Sequence, residues 1–202
     1  MRLMLNKINK AIQDPSLMVN LIIHYLKGYY YKAIYKLFRK RVSIGKNFRV
    51  SGKLIIKGPG LVEIGDNVKI SLSVTPWTYK KDATIKIGNN VFLNGTRFGC
   101  ANNIVIEDDC ILADCRILDT DFHGVHPLYR HISKSAPIYI RKNVWITPAC
   151  FILKGVDIGT GTTITPNSVV TTDVPANCVF GGNPAVLRHE IILPEEHTHL
   201  YL

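Results

Sequence analysis

Aliphatic residues recur along this chain at a spacing that suits neither a helix nor a plain strand. Ile140, Ile146, Ile152, Ile158, Ile164 and Val170 stand six residues apart, Ile106, Leu112 and Leu118 repeat the step upstream, and Ile87 and Leu93 repeat it once more. A helix repeats every ~3.6 residues and a half-buried strand every ~2, so neither produces this pattern. A longer period overlies it. An isoleucine followed by a turn-forming triplet recurs as Ile44-Gly-Lys-Asn, Ile64-Gly-Asp-Asn, Ile87-Gly-Asn-Asn, Ile106-Glu-Asp-Asp, Ile140-Arg-Lys-Asn and Ile158-Gly-Thr-Gly. The intervals are 20, 23, 19, 34 and 18 residues, which is an 18-residue unit carrying insertions of 2, 5, 1, 16 and 0. Self-similarity at a fixed period marks a repeat architecture. The pattern predicts a coil with three flat sides, each a short strand that turns one aliphatic residue inward. Gly65, Asn67, Gly88, Asn90 and Gly161 fall at the corners, where the backbone needs unusual dihedrals. About six such coils, paired at the ~4.8 Å spacing of neighbouring strands, make a prism roughly 29 Å tall.

Ahead of the repeats the period changes to that of a helix. From Ser16, a candidate N-cap after Asp14-Pro15, to about Arg39, the residues Ile23, Leu26, Tyr30, Ala33, Ile34, Leu37 and Phe38 share one broad face. Lys32, Lys36, Arg39 and Lys40 fall on the other side, Gly28 is a candidate kink, and the run Tyr29–Tyr31 suits a boundary between apolar and wet surroundings. Such a helix either packs its apolar face on the protein or a neighbouring subunit, or lies on an anionic membrane surface through residues 16–41.

Charge sharpens this division. Residues 1–57 hold 13 Lys and Arg against one acid, a net of +12, whereas residues 58–202 hold 12 against 14, a net of −2. A nucleic-acid binder carries its charge on the folded module, so nucleic acid is not an expected partner. At 47% hydrophobic and 20% charged residues the chain has material for a core and is not disordered. It has no run of 18 apolar residues and no recognisable signal peptide, and its five cysteines show no CxxC spacing. A cytoplasmic protein with buried free thiols is expected, peripheral at the inner face of the membrane if the helix binds there. Three parts follow: a basic amphipathic helical segment 1–41, a repeat domain 42–189, and a tail 190–202.

Particular stretches carry a resemblance. Asn143-Val-Trp-Ile-Thr147, Ile152-Leu-Lys-Gly-Val156, Ser168-Val-Val-Thr-Thr-Asp-Val-Pro175 and the closing Gly181-Gly-Asn-Pro-Ala185 make residues 42–189 resemble the hexapeptide-repeat acyltransferases, most of all the O-acetyltransferases of sugars and polysaccharides. Thr147 and Thr172 depart from the family pattern, which usually has Gly and Lys there. The resemblance implies a mainly β fold, a left-handed parallel β-helix, assembled as a homotrimer. It implies acetyl-CoA as co-substrate, no metal, and as acceptor a surface polysaccharide or its lipid-linked or nucleotide-linked precursor.

The chemistry falls in the one large insertion, the loop 119–137, which reads Asp119-Thr-Asp-Phe-His-Gly-Val-His-Pro127 and then Leu128-Tyr-Arg-His131. Long loops in compact folds are usually functional, and Phe122, Val125, Leu128, Tyr129 and Ile132 offer apolar surface to pack this one. Acyl transfer from a thioester to a hydroxyl needs a base of near-neutral pKa, and imidazole supplies it. The family places its base 17 residues beyond the isoleucine that opens the coil and in a D-x-H pattern, which points to His123 in Asp121-Phe-His123. His126, in a His-Pro pair, is the alternative base or a substrate contact. Asp121 or Asp119 would orient the imidazole, and Asp119 is also a candidate substrate contact. By the same resemblance Asn94 would touch the acceptor. Trp145, Thr147, Thr165 and Asn183 would line the acetyl-CoA arm, and Arg188 would meet its 3′-phosphate.

Rival readings are a streptogramin-type antibiotic O-acetyltransferase, a sugar nucleotide N-acyltransferase, a non-catalytic scaffold, and a γ-carbonic-anhydrase-like hydratase. The hydratase borrows support from the His126–His131 spacing but lacks an upstream third ligand, since residues 25–122 contain no histidine. Serine acetyltransferases carry a larger helical N-terminal domain.

Overall fold

A computed structural model describes residues 15–124 and 126–192, so residues 1–14 of the helical segment and 193–202 of the tail lie outside the description. One helix, α1 (Pro15–Phe38), precedes a solenoid. The coils run β1 (Val42–Ile44), β2 (Arg49–Val50), β3 (Lys53–Leu54); β4 (Leu61–Ile64), β5 (Lys69–Ser71), β6 (Ser73–Thr78); β7 (Thr84–Ile87), β8 (Phe92–Asn94), β9 (Arg97–Cys100). They continue through β10 (Asn103–Ile106), β11 (Ile111–Ala113), β12 (Arg116–Leu118); β13 (Ile138–Ile140), β14 (Trp145–Ile146), β15 (Phe151–Leu153); β16 (Asp157–Ile158), β17 (Thr163–Ile164), β18 (Val169–Val170). A partial seventh coil holds β19 (Cys178–Gly182), and β20 (Ala185–Glu190) folds back antiparallel to it. Sheet A stacks β1-β4-β7-β10-β13-β16, sheet B β2-β5-β8-β11-β14-β17-β19-β20, and sheet C β3-β6-β9-β12-β15-β18. Apart from β19–β20 every pairing between these strands is parallel, as three-sided coils require.

The six-residue column is the core. Ile140, Ile146, Ile152, Ile158, Ile164 and Val170 are fully buried. One step of the expected register is wrong: Ile117, not Leu118, points inward, five residues after Leu112. The middle coils turn their B–C corner one residue early, because Phe98 likewise follows Leu93 by five and pairs with Ile117. Leu118 is thereby freed to face outward.

The A–B corner is built from a stack of left-handed residues. Asn47, Asn67, Asn90, Asp109, Asn143, Gly161 and Asn177 all have φ between 52° and 71°, a region Asn and Gly enter at little cost. Their side chains lace neighbouring coils: Asn47 Nδ2 donates to Asn67 Oδ1 at 3.0 Å, Asn67 Nδ2 to Asn90 Oδ1 at 3.0 Å, and Asn90 Nδ2 to Asp109 Oδ1 at 2.9 Å. Gly65 and Gly88 serve a different purpose from the one expected. Neither has positive φ; a Cβ on Gly65 would lie 2.6 Å from the Gly88 carbonyl oxygen, and one on Gly88 2.4 Å from an Asp108 carboxylate oxygen.

Helix α1 lies across the first coil, and most of its apolar face does not pack on its own chain. Lys32 Nζ donates to the Gly45 carbonyl at 3.0 Å, Tyr35 Oη donates to Leu54 O at 3.1 Å and accepts from Ile56 N at 3.0 Å, and the Arg39 guanidinium donates to Gly58 O at 2.7 Å and Ile56 O at 3.0 Å. The first coil has no strand beneath it to engage its carbonyls, so it recruits the donor-rich side of the helix. Gly28 is no kink: it is buried, and a Cβ there would sit 2.0 Å from the Phe48 carbonyl oxygen. The apolar side, with Ile23, Leu26, Tyr30, Ala33 and Leu37, is turned outward and exposed. No helix among the described residues is long and apolar enough to cross a membrane.

Candidate active site

The loop 119–137 leaves β12 at the C–A corner and returns to β13. Its stem is an antiparallel ladder: Thr120 bridges Ser135, Asp121 N donates to Lys134 O at 3.0 Å, and Ala136 N to Asp119 O at 3.0 Å. Asp119 anchors this stem to the coil below. It is fully buried, and its carboxylate accepts from Ala101 N at 2.6 Å, from Asn102 N at 2.8 Å and from the Cys100 thiol at 3.2 Å. No surface of Asp119 remains for a substrate or for the imidazole. Asp121 is paired with Lys154 Nζ at 2.6 Å. The candidate orienting carboxylates are therefore both engaged elsewhere.

His123 stands exposed at the top of the stem, its backbone N–H donating to Asp121 O at 2.7 Å. His126 is committed locally. Its Nδ1 accepts from Leu128 N at 3.2 Å, capping the short 3-10 turn Pro127–Tyr129, and its ring lies 5.1 Å from that of Tyr129. Of the side chains expected to pack the loop, Phe122 does so against Tyr79, with ring centroids 5.2 Å apart, whereas Leu128, Tyr129 and Ile132 are exposed. Val125 lies outside the described residues.

The other predicted residues gather at a different corner. Asn94 ends β8 and pairs with Ala113. Carried up the sheet B register, the same position is Thr147, then Thr165, then Gly181, so Asn94 and both threonines share one column at the B–C corner. At ~4.8 Å per coil, Asn94 and Thr147 are roughly 10 Å apart. Thr147 is buried, its hydroxyl donating to Ile164 O at 2.6 Å, and Thr165 Oγ1 lies 3.1 Å from Ser168 Oγ. Their N–H groups are held by Ile164 O and Phe180 O, so neither is a free donor. Trp145 is half-exposed on sheet B beside a groove of about 300 Å³ that reaches Thr163 and Asn177. Asn183 precedes Pro184 in the link to β20, which carries Arg188 against Gly182. Within one chain His123 and the Asn94 column are separated by the width of sheet C, roughly 10–13 Å for a three- or four-residue strand.

Sequence reasoning missed a cavity of about 420 Å³ on sheet C beside the loop, lined among others by Trp77, Tyr79, Phe122, Arg97, Arg116 and Leu118. Its floor is Gly99, where a Cβ would come within 3.1 Å of both the Phe122 ring and the Tyr79 hydroxyl. Burial, reinforced by the nearby Asp119 carboxylate, raises the Tyr79 hydroxyl above the ordinary tyrosine range, so it stays protonated and able to donate. The one available signal was the five-residue insertion between Ile64 and Ile87, which carries the pair Trp77 and Tyr79. Among the described residues no three His, Cys, Asp or Glu side chains converge as a metal site would require.

Six-residue repeats closed into a three-sided solenoid and interrupted by one histidine-bearing loop are the mark of the hexapeptide-repeat acetyltransferases, and the chain belongs to that family. It is 31% identical over 139 residues to the galactoside O-acetyltransferase of Escherichia coli K12, covering 67% of either chain. It is 31% identical over 136 residues to a putative colanic acid biosynthesis acetyltransferase of the same organism, covering 66% of this chain and 71% of that one. Among solved structures, a maltose O-acetyltransferase from Clostridium difficile 630 shares the fold with a TM-score of 0.55 at 23% identity, over 86% of this chain and 89% of the other. The chain spans 63% of the length of the putative acetyltransferases of Staphylococcus aureus that it matches at 32% identity. No protein-family profile matches the chain.

Proposed function

We propose that the protein transfers an acetyl group from acetyl-CoA to a sugar hydroxyl, with His123 as general base. The observation that carries this reading is the exposed His123 imidazole, presented on a stem that Asp119 and the Thr120–Ser135 bridge hold fixed. The imidazole takes the proton of the acceptor hydroxyl as its oxygen attacks the thioester carbonyl. The carbon–sulfur bond then breaks, and the imidazolium returns the proton to the departing CoA thiolate. Proximity supplies most of the rest. The sugar O-acetyltransferases among its relatives support a sugar acceptor.

Assembly as a homotrimer completes the site in this reading. One copy's loop, with its exposed Leu128, Tyr129 and Ile132, would meet the next copy's Asn94 column, and the acetyl-CoA arm would run past Trp145. Substituting His123→Ala tests the role of the base: release of free thiol from acetyl-CoA in the presence of an oligosaccharide should fall by about 10²–10⁴-fold, whereas His126→Ala should lose little. Equal, small losses would remove His123 from the role.

Helix α1 belongs to the same reading. Residues 15–62 contain ten Lys and Arg and no Asp or Glu. The outward apolar face of α1 therefore sits on an entirely cationic end of the prism, complementary to an anionic membrane surface. A lipid-linked acceptor would be reached from there.

A further inference from the structure

We infer that the sheet C cavity is the acceptor subsite and that it selects a sugar carrying a negative charge, a carboxylate or a phosphate. This rests on the acyl-transfer reading above and names the substrate class for that site. Three features carry it. First, the cavity has an aromatic wall: the Trp77 and Tyr79 rings are 5.2 Å apart, and Phe122 meets Tyr79 edge-on at 5.2 Å. All three rings are partly exposed, as a platform for the apolar face of a pyranose must be. Second, the cavity has a cationic wall. Arg97 and Arg116 are register partners on β9 and β12, Lys57 lies over Trp77, and no acidic side chain lines the space. Among the described residues neither arginine has an acidic partner in a salt bridge, although Arg116 does rest on the Phe151 ring. Two adjacent guanidinium groups without a counter-ion suit a planar anion.

The third feature ties the cavity to the chemistry. Phe122, which lines the cavity, immediately precedes His123 in the chain, so a sugar seated here lies against the loop that carries the proposed base, although His123 itself does not line the space. Phe122 also adopts φ 62°, a conformation an aromatic residue rarely takes, and its N–H is held by Thr120 Oγ1 at 3.2 Å. The loop accepts that backbone conformation and thereby keeps the ring on Tyr79.

Calorimetric titration tests the proposal without relying on turnover. The probes are a glucuronate-containing tetrasaccharide, its carboxyl-reduced neutral counterpart, and a UDP-N-acetylhexosamine. The full-length protein should bind at least one anionic probe and prefer it to the neutral one by about 10- to 100-fold, the range that hydrogen bonds to charged groups support. Preference for the glucuronate probe identifies a polymer carboxylate as the anion, and preference for the nucleotide identifies a carrier phosphate. Arg97→Gln and Arg116→Gln should each remove most of that preference while leaving the affinity for acetyl-CoA unchanged. His123→Ala should bind the anionic probe as the unaltered protein does, so loss of turnover and loss of the subsite are read separately. Arg97→Lys, which keeps the charge without the planar fork, should restore part of the binding. Equal affinity for charged and neutral probes, or binding indifferent to both arginine changes, would overturn the proposal.

Discussion

Asp119→Ala should loosen the loop 119–137 far more than the loss of one side chain suggests. The carboxylate is fully buried and accepts two backbone N–H groups, those of Ala101 and Asn102, at 2.6 Å and 2.8 Å. Alanine leaves both without their carboxylate partner. Each unsatisfied buried donor costs about 1–3 kcal/mol, and a charged acceptor pushes toward the upper end. A total of about 3 kcal/mol is the conservative expectation. At ~1.4 kcal/mol per factor of ten, that raises local opening roughly 100-fold. Native-state hydrogen exchange reads this directly: the Ala101 and Asn102 amides should lose about two decades of protection, while the Ile164 amide, two coils further along the solenoid, should not change. Turnover should fall with them, because the stem that presents His123 begins at this residue. Wild-type protection of both amides in the variant would refute the account of Asp119 as the anchor of the loop.

Ile146→Ala, at a fully buried column position, should lower the unfolding free energy by about 2–5 kcal/mol in denaturant titration. Replacing Lys36 and Lys40 with Gln should weaken binding to anionic liposomes by roughly 30-fold at low salt, from ~1 kcal/mol per basic residue near the leaflet. Replacing Leu26 and Leu37 with Ser should abolish the binding that remains at high salt. Burial pushes the Cys110 and Cys115 thiols up to about 12. In the unfolded chain they ionise near ~8.5, so above that pH the unfolded state alone loses protons and stability should fall as pH rises, up to ~1.4 kcal/mol per unit and thiol. A flat stability profile between pH 8 and 10 would contradict it.

The parts of the fold that were legible in the sequence are those a repeat imposes on every coil. An inward residue every sixth position is forced by three-sided geometry, so Ile140 to Val170 announced the core. Asn67, Asn90 and Gly161 announced the left-handed stack at the A–B corner, whereas Gly65 and Gly88 are there for close approach of neighbouring coils. Legibility failed where a residue answers to a partner rather than to the period. Leu118 looked like a column member, yet the early corner after Leu112 hands that place to Ile117. Gly28 looked like a helix breaker because the Phe48 carbonyl it accommodates is twenty residues away. The amphipathic wheel of α1 grouped Lys32 and Arg39 with Lys36 and Lys40, yet only the first two turn to the carbonyls of the first coil while Lys36 and Lys40 stay exposed, and Ile34 of the apolar set is partly buried. At the candidate site, the loop that exposes His123 was readable from the 16-residue insertion, whereas the buried grip of Asp119 and the meeting of Trp77, Arg97, Arg116 and Phe122 depend on which strands stack. None of these residues has the local spacing of a motif.

The helix across the first coil has a consequence for how the protein coexists with copies of itself. Every coil is a template for the next, so a solenoid that ended on bare strands could polymerise end to end, as cross-β fibres do. Lys32, Tyr35 and Arg39 terminate that template chemically at one end by occupying its carbonyls, and β20, running against the direction of its neighbours, terminates it at the other. The number of coils is thereby a closed quantity rather than an open one. A chain lacking residues 1–41 should add coil to coil and yield filaments that bind thioflavin T, and intact protein at the same concentration should not.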